Sequence, residues 1–276
     1  MNKTIYFIVA VALVITGSFV VAGCGSSTKN MAMVGSTSVQ PLAQELADAY
    51  EKANPGVKID VQGVGSTAGV NAAHDKTADI GMSSRELTAA EKQWKMQEVV
   101  LALDGISVVV NPANQTVDLS VEQIRKIFKG EITNWKQVGG KDAPILVVSR
   151  EAGSGTRTAF EELTKVAVKK DGKEISLLKA DALIADGNGS VQANVAAKDN
   201  AIGYMSMGMV DKAVKALKVE GVQATDANVV AKKYSLSRPF ILLVNGEASE
   251  AVKAFLKFST SPEAKKIIGK HYIPVE

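Results

Sequence analysis

Val148-Ser149-Arg150-Glu151-Ala152-Gly153-Ser154-Gly155-Thr156-Arg157 runs from an apolar strand, predicted over 145–149, through a turn and into a helix predicted over 156–168. The two glycines permit a tight turn and let a ligand approach the backbone closely. Ser154 and Thr156 supply hydroxyls. A helix start leaves backbone N–H groups unpaired and carries about half a positive charge. Arg150 follows the strand, and its planar fork of donors matches two oxygens of an anion. Taken alone, such a stretch reads equally well as a capped helix beside a surface arginine.

The same small design occurs twice more, in Gly35-Ser36-Thr37-Ser38 and in Gly65-Ser66-Thr67. Three such starts converging with one arginine would make a dry cage for a small tetrahedral anion. A helix terminus contributes about 0.3–2 kcal/mol to an adjacent anion, and a charge-assisted hydrogen bond about 1.5–3 kcal/mol. Several of each, less desolvation, approach the roughly 8 kcal/mol of micromolar binding.

Working outward, apolar periodicity places strands at 31–34, 57–64, 78–82, 99–110 (bent at Asp104-Gly105), 182–185, 201–206 and 240–244. Helices alternate with them, one of them over 210–217. Alternation of this kind predicts an α/β fold with mainly parallel sheets. Asn111-Pro112 and Arg238-Pro239 interrupt the pattern and suggest crossings between two discontinuous lobes, 31–110 plus 240–276 and 111–237. Each glycine-hydroxyl segment lies where a strand hands over to a helix, which is where open α/β sheets bind ligands. Two belong to the first lobe and one to the second, so a cleft could close on the ion.

The 276 residues carry a net charge of +3, and 46% are apolar. That is a globular composition with an ample core, and its charge is too small to imply nucleic acid. The N-terminus stands apart. Lys3 precedes an uncharged apolar run over 5–22, read as a signal peptide or a single span. Val21-Ala22-Gly23-Cys24 resembles a bacterial lipobox. Cleavage before Cys24 would remove 1–23 and leave a lipidated cysteine on a short tether, 24–30. The competing reading is an uncleaved anchor. Either way the remainder lies outside the cytoplasm, and the single cysteine excludes an intrachain disulfide.

The order of these pieces strongly resembles the phosphate-binding lipoproteins of bacterial ABC transporters. The pieces are the lipobox, Gly35-Ser36-Thr37-Ser38-Val39-Gln40-Pro41, Gln62-Gly63-Val64-Gly65-Ser66-Thr67, Asp79-Ile80-Gly81-Met82-Ser83-Ser84-Arg85 and Arg150 with Gly153-Ser154-Gly155-Thr156. Asp104-Gly105-Ile106-Ser107, Gly130-Glu131-Ile132-Thr133-Asn134-Trp135 and Ala201-Ile202-Gly203-Tyr204 add to the match. The resemblance implies the two-lobed type II fold of periplasmic binding proteins, with phosphate held in the closed cleft. It implies no enzyme activity and no cofactor. The implied partners are phosphate, permease subunits, and membrane lipid through Cys24; the implied state is a monomer on the extracytoplasmic face of the cell membrane. Carried over by motif, the ion contacts fall on Thr37, Ser38, Ser66, Ser84, Arg150, Ser154, Gly155 and Thr156. Better-known members have an aspartate at the position of Ser84, where it accepts the proton of phosphate and repels sulfate. Asp104, at the bend of its strand, is the first candidate to replace that carboxylate, against a solvated turn residue or a helix cap. Glu151 is a weaker candidate, read instead as an ion-pair partner of Arg150 or Arg157.

Other chemistry has little support. His74 and His271 lie far apart, and no metal-ligand spacing occurs. Gly65-Ser66-Thr67-Ala68-Gly69 has threonine where a nucleophile elbow has serine. No phosphate-loop lysine motif is present. An extracellular phosphatase using the same cage would need a nucleophile beside a base, or a metal. A receptor for sulfate or another oxyanion remains open because of Ser84.

Overall fold

The structure is a computed structural model that describes residues 29–170 and 173–275. Cys24, the preceding apolar run and most of the expected tether lie outside the described residues. In chain order the elements are β1 (Lys29–Gly35), α1 (Gln40–Ala53), β2 (Val57–Gly63), α2 (Ser66–His74), β3 (Ile80–Ser83), α3 (Ala89–Lys92), β4 (Gln97–Val110), β5 (Asp118–Leu119) and α4 (Val121–Lys129). They continue with β6 (Leu146–Arg150), α5 (Gly155–Thr164), β7 (Ala167–Lys170), β8 (Lys173–Ser176), β9 (Leu183–Ala185), α6 (Asn188–Ala196), β10 (Ala201–Ser206), β11 (Lys215–Ala216) and β12 (Lys218–Val219). Last come α7 (Asp226–Val230), β13 (Ser237–Val244), α8 (Glu250–Ser259), α9 (Pro262–Ile268) and β14 (Ile273–Pro274).

The main sheet has the order β2-β1-β3-β13-β4-β10-β6-β9. Its outer pairs, β2 with β1, β1 with β3, β10 with β6 and β6 with β9, are parallel. Its middle is antiparallel, because β13 and β4 run against each other and against their flanking strands. The sheet is therefore two parallel halves joined through an antiparallel seam. A purely local reading of apolar periodicity gives strands without partners, so the seam could not be foreseen.

Helix α1 shows how sequence builds one half. Leu42, Ala43, Leu46, Ala47 and Tyr50 recur on one face and are buried, and Pro41 sits in the first turn, where its missing N–H costs nothing. That face packs with Met33, Ile80, Phe240 and Phe255 in one core. Trp135, Phe128, Phe160, Tyr204 and Leu236 belong to a second core. The long strand β4 serves both. Leu101 and Ala102 lie in the first core, whereas Ile106, Val108 and Val110 lie in the second. Its hydrogen-bonding partner changes at the same place, from β13 up to Gly105 to β10 from Ile106 onward. The cores thus part inside β4, several residues before Asn111. Arg238 and Pro239, read as a break, lie within the ladder of β13.

The helix expected over 210–217 is absent. Asp211 makes a turn there, its carboxylate accepting from the Ala213 N–H, and Lys215–Ala216 pairs as β11 with Val110 and Val109 of β4. Strand pairing outweighed a helical spacing that spans barely two turns. No helix among the described residues is long and apolar enough to cross a membrane.

Candidate functional site

The expected residues sit where strands end and helices begin. Thr37 and Ser38 follow β1, Ser66 opens α2 after β2, and Ser84 follows β3. From the other core, Arg150 ends β6, Ser154 caps α5, and Gly155 and Thr156 open it. Gly65, before Ser66, has φ +100, a conformation that L side chains rarely adopt. The backbone turns sharply there, and the Thr67 N–H reaches the Gly153 carbonyl at 3.1 Å.

These segments converge. Arg150 Nη2 donates to Thr37 Oγ1 at 3.1 Å, and Ser38 Oγ lies 2.8 Å from Thr156 Oγ1. Ser36 Oγ donates to Ser84 Oγ at 2.8 Å, and the Ser84 N–H donates to Ser66 Oγ at 3.1 Å. Ser66 Oγ and Ser84 Oγ are 3.3 Å apart. Gly155 is packed so closely that a Cβ there would overlap Ser66 Oγ and lie 2.9 Å from Ser84 Oγ. Ser38, Ser66, Ser84, Arg150, Ser154 and Thr156 are all buried. The Ser154 hydroxyl is used locally, accepting from the Arg157 N–H at 3.2 Å.

Arg150 is the most informative side chain. Its Nε and Nη2 each donate to the Glu151 carboxylate at 2.8 Å, the pairing anticipated for Glu151. Nη1 is buried and has no partner among the described residues. A buried donor left unpaired is costly, and a guanidinium edge offers it to an anion in a fixed direction. The strand end is braced behind it: the Arg150 N–H donates to the Tyr204 hydroxyl at 3.3 Å, and that hydroxyl lies 2.8 Å from Ser149 Oγ.

Asp104 occupies a different place from the free acceptor expected of it. It is fully buried, and one oxygen, Oδ2, accepts from Arg238 Nη2 at 2.9 Å and Nε at 3.1 Å. The other, Oδ1, accepts from Ser206 Oγ at 2.8 Å. Burial raises the Asp104 carboxyl, while the charge of Arg238 and these hydrogen bonds pull it back toward ionisation. Asp104 and Arg238 are direct cross-strand neighbours of β4 and β13, beside the point where β4 changes partner.

Two residues were not singled out by sequence. Arg238 Nη2 donates to Ser38 Oγ at 3.1 Å, and Nη1 to Ser84 Oγ at 3.3 Å. Asn188, the first residue of α6, donates to Ser38 Oγ at 2.9 Å and Thr37 Oγ1 at 3.3 Å, while its side-chain Oδ1 accepts from the Ser206 N–H. Gly187-Asn188-Gly189-Ser190 has the glycine-polar form of the other turns, and an arginine inside the apolar run of β13 needs a buried partner. The first signal was available in the sequence; the second appears only once β13 is seen to begin at Ser237. Arg85 and Arg157 lock carboxylates instead: Arg85 pairs with Glu91 at 2.7 and 2.8 Å, and Arg157 with Glu161 at 2.7 Å.

His74 lies tilted against Trp94, with ring centroids 4.0 Å apart, and bonds Asp75. Among the described residues no group of three or more His, Cys, Asp or Glu is placed to hold a metal. The site is therefore a buried set of hydroxyls, helix starts and two guanidinium groups, suited to holding an oxyanion by hydrogen bonds.

Known proteins share this architecture. The PBP superfamily domain matches residues 21–263. The chain is 30% identical over 245 residues to the phosphate-binding protein PstS of Borreliella burgdorferi, covering 87% of this chain and 88% of that protein. It is 32% identical over 253 residues to PstS of Bacillus subtilis, covering 89% and 81%. A crystal structure with bound phosphate, of a substrate-binding protein of the phosphate ABC transporter type from Clostridium perfringens, superposes with a TM-score of 0.85 at 42% identity. That match covers 90% of this chain and 100% of the other. With the strand-to-helix turns gathered into one buried site and relatives similar over most of their length, the chain belongs to the PBP superfamily and, within it, to the PstS family of phosphate-binding proteins.

Proposed function

We propose that this chain is a non-enzymatic receptor that captures inorganic phosphate outside the cytoplasm and delivers it to the permease subunits of an ABC importer. The observation that carries this reading is the buried Arg150 Nη1, unpartnered among the described residues, at a convergence of hydroxyls and helix starts from both cores. The ion would lie against Thr37, Ser38, Ser66, Ser84, Arg150, Gly155 and Thr156, with Ser154 fixing the start of α5. Two lobes are proposed in the order expected from sequence, with one crossing inside β4, where the cores part, and the other at the start of β13, just after Leu236 of the second core. Closure of the lobes on the ion would present the liganded form to the permease, a population shift driven by binding. The lipobox supports cleavage before Cys24 and a lipid anchor on the outer face of the membrane, with the receptor acting as a monomer.

A sulfate receptor is the second reading, favoured by one observation: Ser84 offers a hydroxyl and no charge to repel a fully ionised ion. Titration calorimetry with phosphate and with sulfate, beside a turnover assay on a phosphate ester, tests the proposal. Tight phosphate binding without turnover supports it. Ester hydrolysis that disappears in R150A would overturn it in favour of a phosphatase.

A further inference from the structure

Resting on that receptor reading, we infer that Arg238, held by Asp104, is a second guanidinium that touches the bound ion and tunes the site toward the doubly charged form of phosphate over its protonated form.

Position comes first. Arg238 reaches the Ser38 and Ser84 hydroxyls, two of the groups expected around the ion, and its side chain is only 2% exposed. Asp104 grips it through Nε and Nη2, which sets the plane of the fork. Ser206 fixes the carboxylate in turn. Asp104 is thus a positioning residue. Nη1 also reaches the Ser84 carbonyl at 3.3 Å, so Arg238 meets an ion by exchanging its contacts to the Ser84 and Ser38 hydroxyls for the ion's oxygens.

Charge comes second. The site holds two buried guanidinium groups, and burial lowers the Arg238 guanidinium, with the positive charge of Arg150 adding to the effect. Each guanidinium is matched by one carboxylate, Arg150 by Glu151 and Arg238 by Asp104, so the pull on a doubly charged ion comes from the donors aimed at it and not from excess positive charge. Each carboxylate nearby is already engaged. Asp104 accepts from Arg238 and Ser206, and both oxygens of Glu151 accept from Arg150. The remaining charged groups around the site also leave no strong acceptor facing the ion. Asp186 takes the Ser190 hydroxyl, and Arg157 donates to the Arg150 carbonyl at 2.9 Å. The buried phenols, Tyr204 behind Arg150 and Tyr272 beside Asp104, are held neutral, their ionisation pushed up by burial. The proton of a singly charged phosphate needs an acceptor, and the serine and threonine hydroxyls accept or donate equally well. The fixed part of the site is all donors, so it rewards the ion that only accepts.

The test is phosphate and sulfate affinity by calorimetry across the second ionisation of phosphate, in the wild type, R238Q and R238K. In the wild type, phosphate affinity should rise about tenfold per pH unit on the acid side of that ionisation and then level off. Sulfate, unprotonated throughout, should compete at both ends. R238Q removes one positive charge and frees an oxygen of Asp104. Its slope should flatten or reverse, and sulfate should lose at least about tenfold more affinity than phosphate. R238K, which keeps the charge without the fork, should bind more weakly with the wild-type slope. A flat or opposite wild-type slope overturns the assignment, as does an R238Q that weakens both ions equally at unchanged slope. If R238Q does not fold, R238K decides, and an R238K that binds both ions as tightly as the wild type overturns the assignment. If the wild type binds neither ion, the receptor reading itself fails; if it binds phosphate without the slope, only the assignment of Arg238 fails.

Discussion

Arg150 of β6 donates to the hydroxyl of Thr37 at 3.1 Å, although 113 residues separate them. One belongs to a strand of the second core and the other to the turn after β1 in the first. This contact and the one between Ser38 and Thr156 tie the two parallel halves of the sheet together at the place where an ion would sit.

Replacing Arg150 should show what its fork contributes. R150K keeps a charge but cannot reproduce two parallel hydrogen bonds, and R150A keeps neither. Each charge-assisted hydrogen bond contributes about 1.5–3 kcal/mol. Phosphate affinity should therefore fall by about tenfold or more in R150K and further in R150A. Calorimetry on both variants measures this, and equal affinity in R150K and wild type would remove the fork from the account.

Gly155 marks how closely the two halves of the site approach. In a helix alanine is favoured over glycine, by up to about 1 kcal/mol, so G155A should leave α5 intact. Its Cβ, however, would collide with Ser66 Oγ and crowd Ser84 Oγ. Overpacking of this kind costs about 1–3 kcal/mol, so thermal unfolding without phosphate should come earlier. Affinity should drop as well, by about tenfold or more, the equivalent of about 1.4 kcal/mol. Unimpaired binding in G155A would mean that Ser66 and Gly155 need not approach so closely.

The Arg85–Glu91 pair is structural. Both side chains are nearly buried, and Glu91 also closes the capping box of α3 with Thr88. Burial raises the Glu91 carboxyl, but hydrogen bonds from Arg85 and the Thr88 N–H outweigh it, and its net shift is downward. R85M leaves an uncompensated buried carboxylate, which costs about 3–5 kcal/mol in comparable pairs. Chemical denaturation should show a loss of that order, and a loss below about 1 kcal/mol would show that water reaches Glu91.

Acid titration should find one carboxyl out of place. Glu162 on α5 is exposed at the surface but partly desolvated where it faces β8, which lifts it from 4.5 to about 7, and Glu174 of β8 beside it acts in the same direction. A carboxyl raised in the folded state adds stability below its unfolded value, and that stability is lost as pH rises through about 7. E162Q removes this slope. The stability difference between E162Q and wild type should grow in favour of E162Q from pH 4.5 to above 7. A difference that does not vary with pH would show that neither desolvation nor Glu174 acts on Glu162.

Much of this was legible because it is local. A glycine, a hydroxyl and a following amphipathic helix are neighbours in sequence, so Gly35–Ser38, Gly65–Thr67 and Gly153–Thr156 disclose helix starts without any tertiary knowledge. Arg238 was not legible in that way. Its partners, Asp104, Ser84 and Ser38, lie 134, 154 and 200 residues away, and Arg238-Pro239 resembles a loop until the β13 ladder is seen. Asp104 was noticed at the bend of its strand, as a stand-in for the carboxylate missing at Ser84. Its burial beside a cross-strand arginine decides its chemistry, and that depends on register. The misread stretch at 210–217 follows the same rule: Lys215 and Ala216 are strand because β4 offers them an edge.

β4 runs unbroken from one core into the other, and β13 lies along its first part. A gene fragment ending at either boundary would strip its product of a central strand and leave an open ladder edge. The two halves are therefore inseparable as expression units: to transplant the pocket into another scaffold, an engineer would have to carry over both connecting strands with it.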